Sequence, residues 1–167
     1  MKAQVLFSES QRFKQWWLWL ILIVVTFLPL FGLYHELQKA EPFTDKATNT
    51  GFILSLLVIL PVTALFIFMR LETQITQTGI AAKFYPIHFK FRQFYWSEID
   101  EIYVRKYSPI SEFGGWGLRY GLDGKAYNIS GNQGIQLVFK DGKKLLIGTN
   151  KPEEAAAALK QAQPVKA

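Results

Sequence analysis

Two long uncharged apolar runs dominate the first part of the chain. Residues 16–34 and 51–69 contain no Asp, Glu, Lys or Arg. A helix rises about 1.5 Å per residue, so about 20 apolar residues cross the roughly 30 Å hydrocarbon core of a bilayer. Both runs have that length, and a small soluble domain would have too little polar surface to cover them. The pattern therefore predicts a transmembrane hairpin of two helices within residues 16–70.

A cleaved secretory signal is the alternative interpretation of the first run, because Lys2, Arg12 and Lys14 precede it. The apolar stretch is, however, longer than the roughly 7–15 residues of a signal core. The residues that follow, 31–35, contain no small-residue cleavage pattern. We therefore expect the first helix to be retained.

Basic residues near the two runs predict the orientation, since cytoplasmic flanks are richer in Lys and Arg. Three precede the first run, Arg70 and Lys83 follow the second, and two lie in the connecting loop. This bias predicts a cytoplasmic N-terminal segment at residues 1–15, a short outer loop and a cytoplasmic domain at residues 71–167. Both termini are expected in the cytoplasm, in a multi-pass protein of the inner (plasma) membrane.

From residue 71 onward, apolar residues alternate with polar ones over short segments. Residues 71–77 and 80–85 flank a Thr-Gly turn and have the composition of strands. Asp141-Gly142 is a strong hairpin signal, and an alanine-rich run at residues 155–159 predicts a final helix. The expected fold is α+β: a bent antiparallel β-sheet or partly open barrel, capped by a C-terminal helix.

Several motifs of this region resemble a known family. They are Thr73-x-Ile75-x-x-x-Gly79-Ile80, then Trp96-x-x-Ile99-x-x-Ile102, then a Gly-Lys-Lys hairpin and the closing helix. This pattern is similar to the pleckstrin-homology-like (PH-like) domains of bacterial membrane proteins, many of which follow a transmembrane hairpin. The resemblance covers residues 71–163 and the hairpin before them. Residues 104–117 resemble one bacterial subfamily of that group, which implies no particular reaction.

The segment 107–134 is long for a connection and contains seven glycines. Connections longer than about 12–15 residues are usually functional or disordered, and the aromatic residues here argue against disorder. An extra hairpin pairing residues 118–120 with 126–129 is the structural alternative, which does not exclude binding at its base. The run of residues 114–117 lacks the lysine and hydroxyl residue of a nucleotide-binding loop. Its glycines are expected to turn the backbone, and Trp116 to be buried rather than to face the bilayer.

The C-terminal part is basic, with 14 Lys and Arg against 9 Asp and Glu from Arg70 onward. Beneath an anionic leaflet, each basic residue near the membrane surface contributes on the order of 1 kcal/mol of binding free energy. The candidates for lipid headgroup contact are Arg105, Lys106, Arg119, Lys143 and Lys144. A solvated face is the alternative. PH domains that hold phosphoinositides usually carry basic residues around the first hairpin turn, where this chain has only Lys83, so specific phosphoinositide binding is not expected.

No catalytic or metal site is expected. The chain has no cysteine, and His35 and His88 are predicted on opposite sides of the membrane. No metal-ligand cluster and no Gly-x-Ser-x-Gly motif occurs, and acidic residues on a small sheet are usually solvated or paired. The basic residues do not form the stripe that nucleic acids require. We therefore expect no enzyme, no cofactor, no metal and no nucleic-acid partner.

The expected function is that of a non-enzymatic binding module that recruits or scaffolds another membrane or membrane-associated protein. The bilayer is the other expected partner, and a permanent tether raises the effective concentration of the module beside its targets. Two alternatives remain open: sensing of anionic lipid headgroups by the basic face, and a role as a small regulatory subunit of a membrane complex. The candidate binding surface consists of Arg105, Lys106, Glu112, Gly114, Gly115, Trp116, Gly117 and Arg119.

Overall fold

The computed structural model describes residues 4–39, 42, 46–121 and 124–162. The chain divides into two units. One unit, Lys14–Phe68, is helical, and the other combines Met1–Phe13 with Met69–Ala167. The N-terminal residues therefore belong to the same folded unit as the C-terminal part. The predicted boundaries, which set residues 1–15 apart from a domain at 71–167, differ from the structure at this point.

The helical unit contains α1 (Trp16–Leu37) and α2 (Lys46–Phe68). Both helices are long and apolar enough to cross a membrane, and most of their apolar side chains are exposed. A helix in the core of a water-soluble protein would bury such side chains. Across the hairpin, the hydroxyl oxygens of Thr26 and Thr63 lie 3.5 Å apart. The prediction of two long apolar helices is confirmed.

The first sheet has four antiparallel strands in chain order. They are β1 (Val5–Arg12), β2 (Arg70–Thr76), β3 (Gly79–Tyr85) and β4 (Arg92–Tyr95). Arg12 pairs with Arg70, so the whole helical unit is inserted into the connection between two neighbouring strands. The sequence pattern misses β1 because its buried positions include Glu9 and Gln11, which a hydrophobic alternation assigns to the surface.

The second sheet has five strands: β5 (Ile99–Lys106), β6 (Gly117–Gly121), β7 (Gly124–Asn128), β8 (Gln133–Phe139) and β9 (Lys144–Gly148). The strand order is β5-β8-β9-β7-β6, and β7 is parallel to β9. The prediction of a wholly antiparallel sheet is wrong at this pair. The reason is that β7 pairs with the returning strand of the β8–β9 hairpin and not with β8, its neighbour along the chain. The β6–β7 hairpin confirms the structural interpretation of the glycine-rich segment.

Both sheets contribute to the hydrophobic core. Among its fully buried side chains are Leu71, Ile75, Phe84, Leu137 and Leu146. Helix α3 (Pro109–Phe113) packs against β6, and α4 (Pro152–Ala162) contacts β1 and β2 of the first sheet and β5 and β8 of the second. Helix α4 therefore covers one side of the sheet pair. The α+β class and the C-terminal capping helix are confirmed.

Candidate functional site

The residues of the predicted binding surface lie on consecutive elements of the second sheet. Arg105 and Lys106 end β5, Glu112 is in α3, and Arg119 is in β6. The loop between α3 and β6 contains Gly114, Gly115 and Trp116, and Gly117 is the first residue of β6. Hydrogen bonds among its own members join Arg105 to Glu112 and to Lys106, and separately join Arg119 to Trp116.

An ion pair between Arg105 and Glu112 fastens α3 to β5. The distance between Arg105 Nη2 and Glu112 Oε2 is 2.7 Å, and Arg105 Nε donates a second hydrogen bond of 3.0 Å to Gln136 Oε1. The other carboxylate oxygen of Glu112 accepts a bond of 2.7 Å from the Ser108 amide. The hydrogen bond from Arg105 lowers the pKa of Glu112 below its usual value. The guanidinium is therefore committed to a structural role, and a lipid headgroup would have to compete with Glu112 for it.

The glycine-rich loop is ordered by backbone geometry and by two polar anchors. Gly114 ends α3 with φ +69°, and Gly117 begins β6 with φ +125°; both lie in the region that favours glycine. The Trp116 indole Nε1 donates a bond of 3.1 Å to the Gly131 carbonyl. Buried Asn128 accepts a bond of 2.9 Å from the Gly117 amide. The loop is thus a packed part of the domain, with Trp116 half-buried.

The five candidates for headgroup contact do not form one patch. Arg105 pairs with Gly134 at one end of β8, whereas Lys144 pairs with Val138 near the other end, about 13 Å away along the strand. Lys143 forms an ion pair with Asp141, with 2.6 Å between Lys143 Nζ and Asp141 Oδ2. That hydrogen bond lowers the pKa of Asp141 and raises the pKa of Lys143.

A groove of about 860 Å³, not foreseen from the sequence, opens between β4, the β6–β7 hairpin and the β8–β9 turn. Four aromatic side chains line it: Phe94, Tyr120, Tyr127 and Phe139. Among the described residues that line it, five are basic, Arg92, Lys125, Lys140, Lys143 and Lys144, and two are acidic, Glu98 and Asp141. The groove therefore combines an aromatic surface with a rim of net positive charge.

The aromatic residues of the groove connect the two sheets. The rings of Phe94 on β4 and Phe139 on β8 lie 5.7 Å apart between centroids. Arg92 Nη1 donates a bond of 3.3 Å to the Tyr127 hydroxyl. Tyr120 projects from the edge strand and is 78% exposed, with Lys125 Nζ 5.1 Å from its ring centroid. Such a surface suits an occupant that presents apolar groups together with negative charge.

The sequence could not reveal the groove because its residues are separated along the chain. Alternation identifies Phe94 and Phe139 as strand residues but does not show that they face each other from different sheets. The one usable signal was the long, glycine-rich segment 107–134, which contains Tyr120 and Tyr127. The pairing of β7 with β9, which brings Tyr127 beside the β8–β9 hairpin, carries no local sequence signal.

The described residues offer no group of three or more His, Cys, Asp or Glu side chains that could hold a metal ion. His88, near the groove, packs on Tyr127 with 5.4 Å between ring centroids. Burial lowers its pKa, and the neighbouring Arg92 lowers it further. His88 therefore serves as a packing group at this position.

Comparison with known proteins adds no relative. No protein-family model matches the chain, and no curated protein or solved structure matches it either. The likeness to PH-like domains stays a prediction from sequence motifs.

Proposed function

We propose that this chain is a membrane-anchored, non-enzymatic binding module of PH-like type that recruits a second protein to the cytoplasmic surface of the inner membrane through the groove. The observation that supports the proposal is the composition of the groove, whose described lining residues include four aromatic rings, five basic side chains and two acidic ones. The proposed occupant is a protein segment that carries acidic residues and an aromatic or long aliphatic side chain.

The two apolar helices support the anchoring part of the proposal. Their exposed apolar side chains need a nonpolar environment, which a bilayer supplies. Arg12 and Arg70 are antiparallel partners, so the segments before and after the helices have to lie on the same side of the membrane. The excess of Lys and Arg in those segments favours the cytoplasmic side. The tether then keeps the groove at high local concentration near membrane proteins.

The groove favours a protein partner over a lipid headgroup. Protein interfaces are enriched in aromatic residues, and the groove presents four of them together. A headgroup site would need a compact set of available cations. Here Lys143 is paired with Asp141, and Arg105 is held by Glu112 at a distance from the groove.

Site-specific photo-crosslinking in native membranes tests the proposal with the full chain. A photoreactive phenylalanine analogue replaces Tyr120 in the groove or, as a control, Tyr103, which is 44% exposed on β5 outside it. We expect a discrete protein adduct from position 120 and none of that size from position 103. Equal adducts from both positions would contradict recruitment through the groove.

Charge reversal tests the role of the basic rim in the same assay. Lys125→Glu combined with Lys140→Glu is expected to abolish the adduct at position 120, because both lysines line the groove. Lys160→Glu, at an exposed position of α4, is the matched control and should leave the adduct unchanged. An adduct that survives the double variant would argue against an acidic partner. Adducts formed with anionic lipid alone would instead support the headgroup-sensing alternative.

A further inference from the structure

The loop between β3 and β4, residues 86–91, exposes large apolar side chains. Ile87 is 55% exposed and Phe89 is 77% exposed, and exposed Lys90 follows directly. Phe91 is half-buried, with Lys83 Nζ 4.7 Å from its ring centroid. Exposed aliphatic and aromatic residues beside basic ones are typical of segments that contact a membrane interface.

The loop is a folded turn and not an extended connection. The His88 amide donates a bond of 2.7 Å to the Phe84 carbonyl. The His88 ring packs inward on Tyr127, while the neighbouring side chains of Ile87 and Phe89 are exposed. Phe89 makes an edge-to-face contact of 5.9 Å with Tyr85. The exposure of Ile87 and Phe89 is therefore fixed by the fold.

The register of the first sheet places this loop at the end of the strands where the chain leaves β1 for the helices and returns from them into β2. Tyr85, the last residue of β3, pairs with Arg70, and Arg70 pairs with Arg12. Phe89 is four residues beyond Tyr85, which limits the separation to about 14 Å. The opposite end of the seven-residue β3 is about 20 Å away.

We infer that residues 86–91 form a lipid-contacting loop. Ile87 and Phe89 enter the interfacial region of the bilayer that α1 and α2 cross, and Lys90 remains at the level of the anionic headgroups. The exposed Arg12, at the same end of the strands, adds a second positive charge that attracts those headgroups. This inference rests on the proposed membrane anchoring and adds a third attachment point to it. It involves none of the residues of the predicted basic face.

Fluorescence quenching in vesicles tests the inference on the full chain. The chain contains no cysteine, so single variants Ile87→Cys and Phe89→Cys accept one environment-sensitive fluorophore each. The vesicles contain anionic lipid, with nitroxide quenchers either near the headgroups or at the bilayer centre. Gln77→Cys is the control for the domain, because Gln77 is exposed in the turn at the opposite end of β3. Leu57→Cys, 66% exposed within α2, is the control for membrane insertion.

We expect labels at positions 87 and 89 to be quenched severalfold by the shallow quencher, with blue-shifted emission, and the label at position 77 to be unaffected. If labels 87 and 89 behave like label 77 while label 57 is quenched by the deep quencher, the lipid-contacting loop is refuted and the anchoring stands. If label 57 is not quenched either, the anchoring fails and the loop contact fails with it. Lys90→Cys supplies a further reporter on the loop if one of the two variants does not fold.

Discussion

Glu9 accepts a hydrogen bond of 2.6 Å from the hydroxyl of Thr149, a residue 140 positions later in the chain. The second carboxylate oxygen of Glu9 accepts a hydrogen bond of 2.9 Å from the backbone amide of Asn150. Two residues further along β1, Gln11 Nε2 donates a bond of 2.7 Å to the Gly148 carbonyl. The first strand of one sheet is thus joined to the end of the last strand of the other by buried polar contacts.

Removal of the Glu9 carboxylate should destabilise the domain strongly. Glu9→Ala leaves the buried Thr149 hydroxyl without its acceptor, which costs about 1–3 kcal/mol, and it also removes the part-buried bond from the Asn150 backbone amide. We expect the free energy of unfolding to fall by about 3 kcal/mol, measured by proteolysis across a urea series on the full chain in detergent. Glu101→Ala, at an exposed position of β5, is the control and should change little. Equal effects of the two variants would contradict this role of Glu9.

The helical unit should be replaceable by a turn, because it is an insertion in a hairpin connection. The Cα atoms of antiparallel partners such as Arg12 and Arg70 lie about 5 Å apart, which a two-residue turn can span. Substituting Asn-Gly for residues 14–68 is expected to give a domain that unfolds cooperatively on heating. A fragment of residues 71–167 should not unfold cooperatively, because it lacks β1. Circular dichroism melts of both proteins measure this, and a cooperative transition in the fragment would refute the requirement for β1.

The packing of the two helices should depend on Gly32. A Cβ atom at this position would collide with the ring of Phe52, whereas a Cβ at Gly51 meets nothing within 4 Å. Thr26 and Thr63 face each other, so Thr26→Cys with Thr63→Cys is expected to form a disulfide in membranes. Gly32→Leu should slow this cross-linking and the control Gly51→Leu should not. The rate of mobility shift on non-reducing gels gives the measurement, and identical rates would argue against close packing at Gly32.

The Arg105–Glu112 pair should make the α3 region sensitive to acid. The pKa of Glu112 is lowered in the folded protein by the hydrogen bond from Arg105, so the unfolded chain binds the proton more tightly. The stabilisation is present above the unfolded value of 4.5 and is lost as the pH falls through the lower folded pKa. We expect Glu112→Gln to cost at most about 1 kcal/mol at neutral pH, because the pair is partly exposed, and nothing once Glu112 is protonated.

Thermal unfolding from pH 7 to pH 3 measures this dependence. The melting temperatures of the Glu112→Gln variant and the parent chain are expected to converge at the acidic end. Glu98→Gln is the control, since its carboxylate accepts an exposed hydrogen bond from the Tyr95 backbone amide. A difference between parent and Glu112→Gln that persists unchanged at pH 3 would show that the variant acts through packing.

Local features of the chain could be predicted from the sequence alone. The two helices follow from the length and uniformity of their apolar runs, and the final helix follows from its alanines. The turn at Asp141-Gly142 joins β8 to β9 as predicted. Each of these features depends on residues that are close together along the chain, so propensity and periodicity suffice to identify them.

The tertiary structure alone decided that β1 belongs to the domain, that β7 pairs with β9, and that Phe94 and Phe139 meet in a groove. Glu9 and Gln11 resemble surface residues by composition, and they are buried only because their partners arrive from the far end of the chain. The aromatic residues of the groove come from separate strands of both sheets. The physical reason is the same in each case: these contacts join distant segments, and their energies depend on a packing that no local pattern encodes.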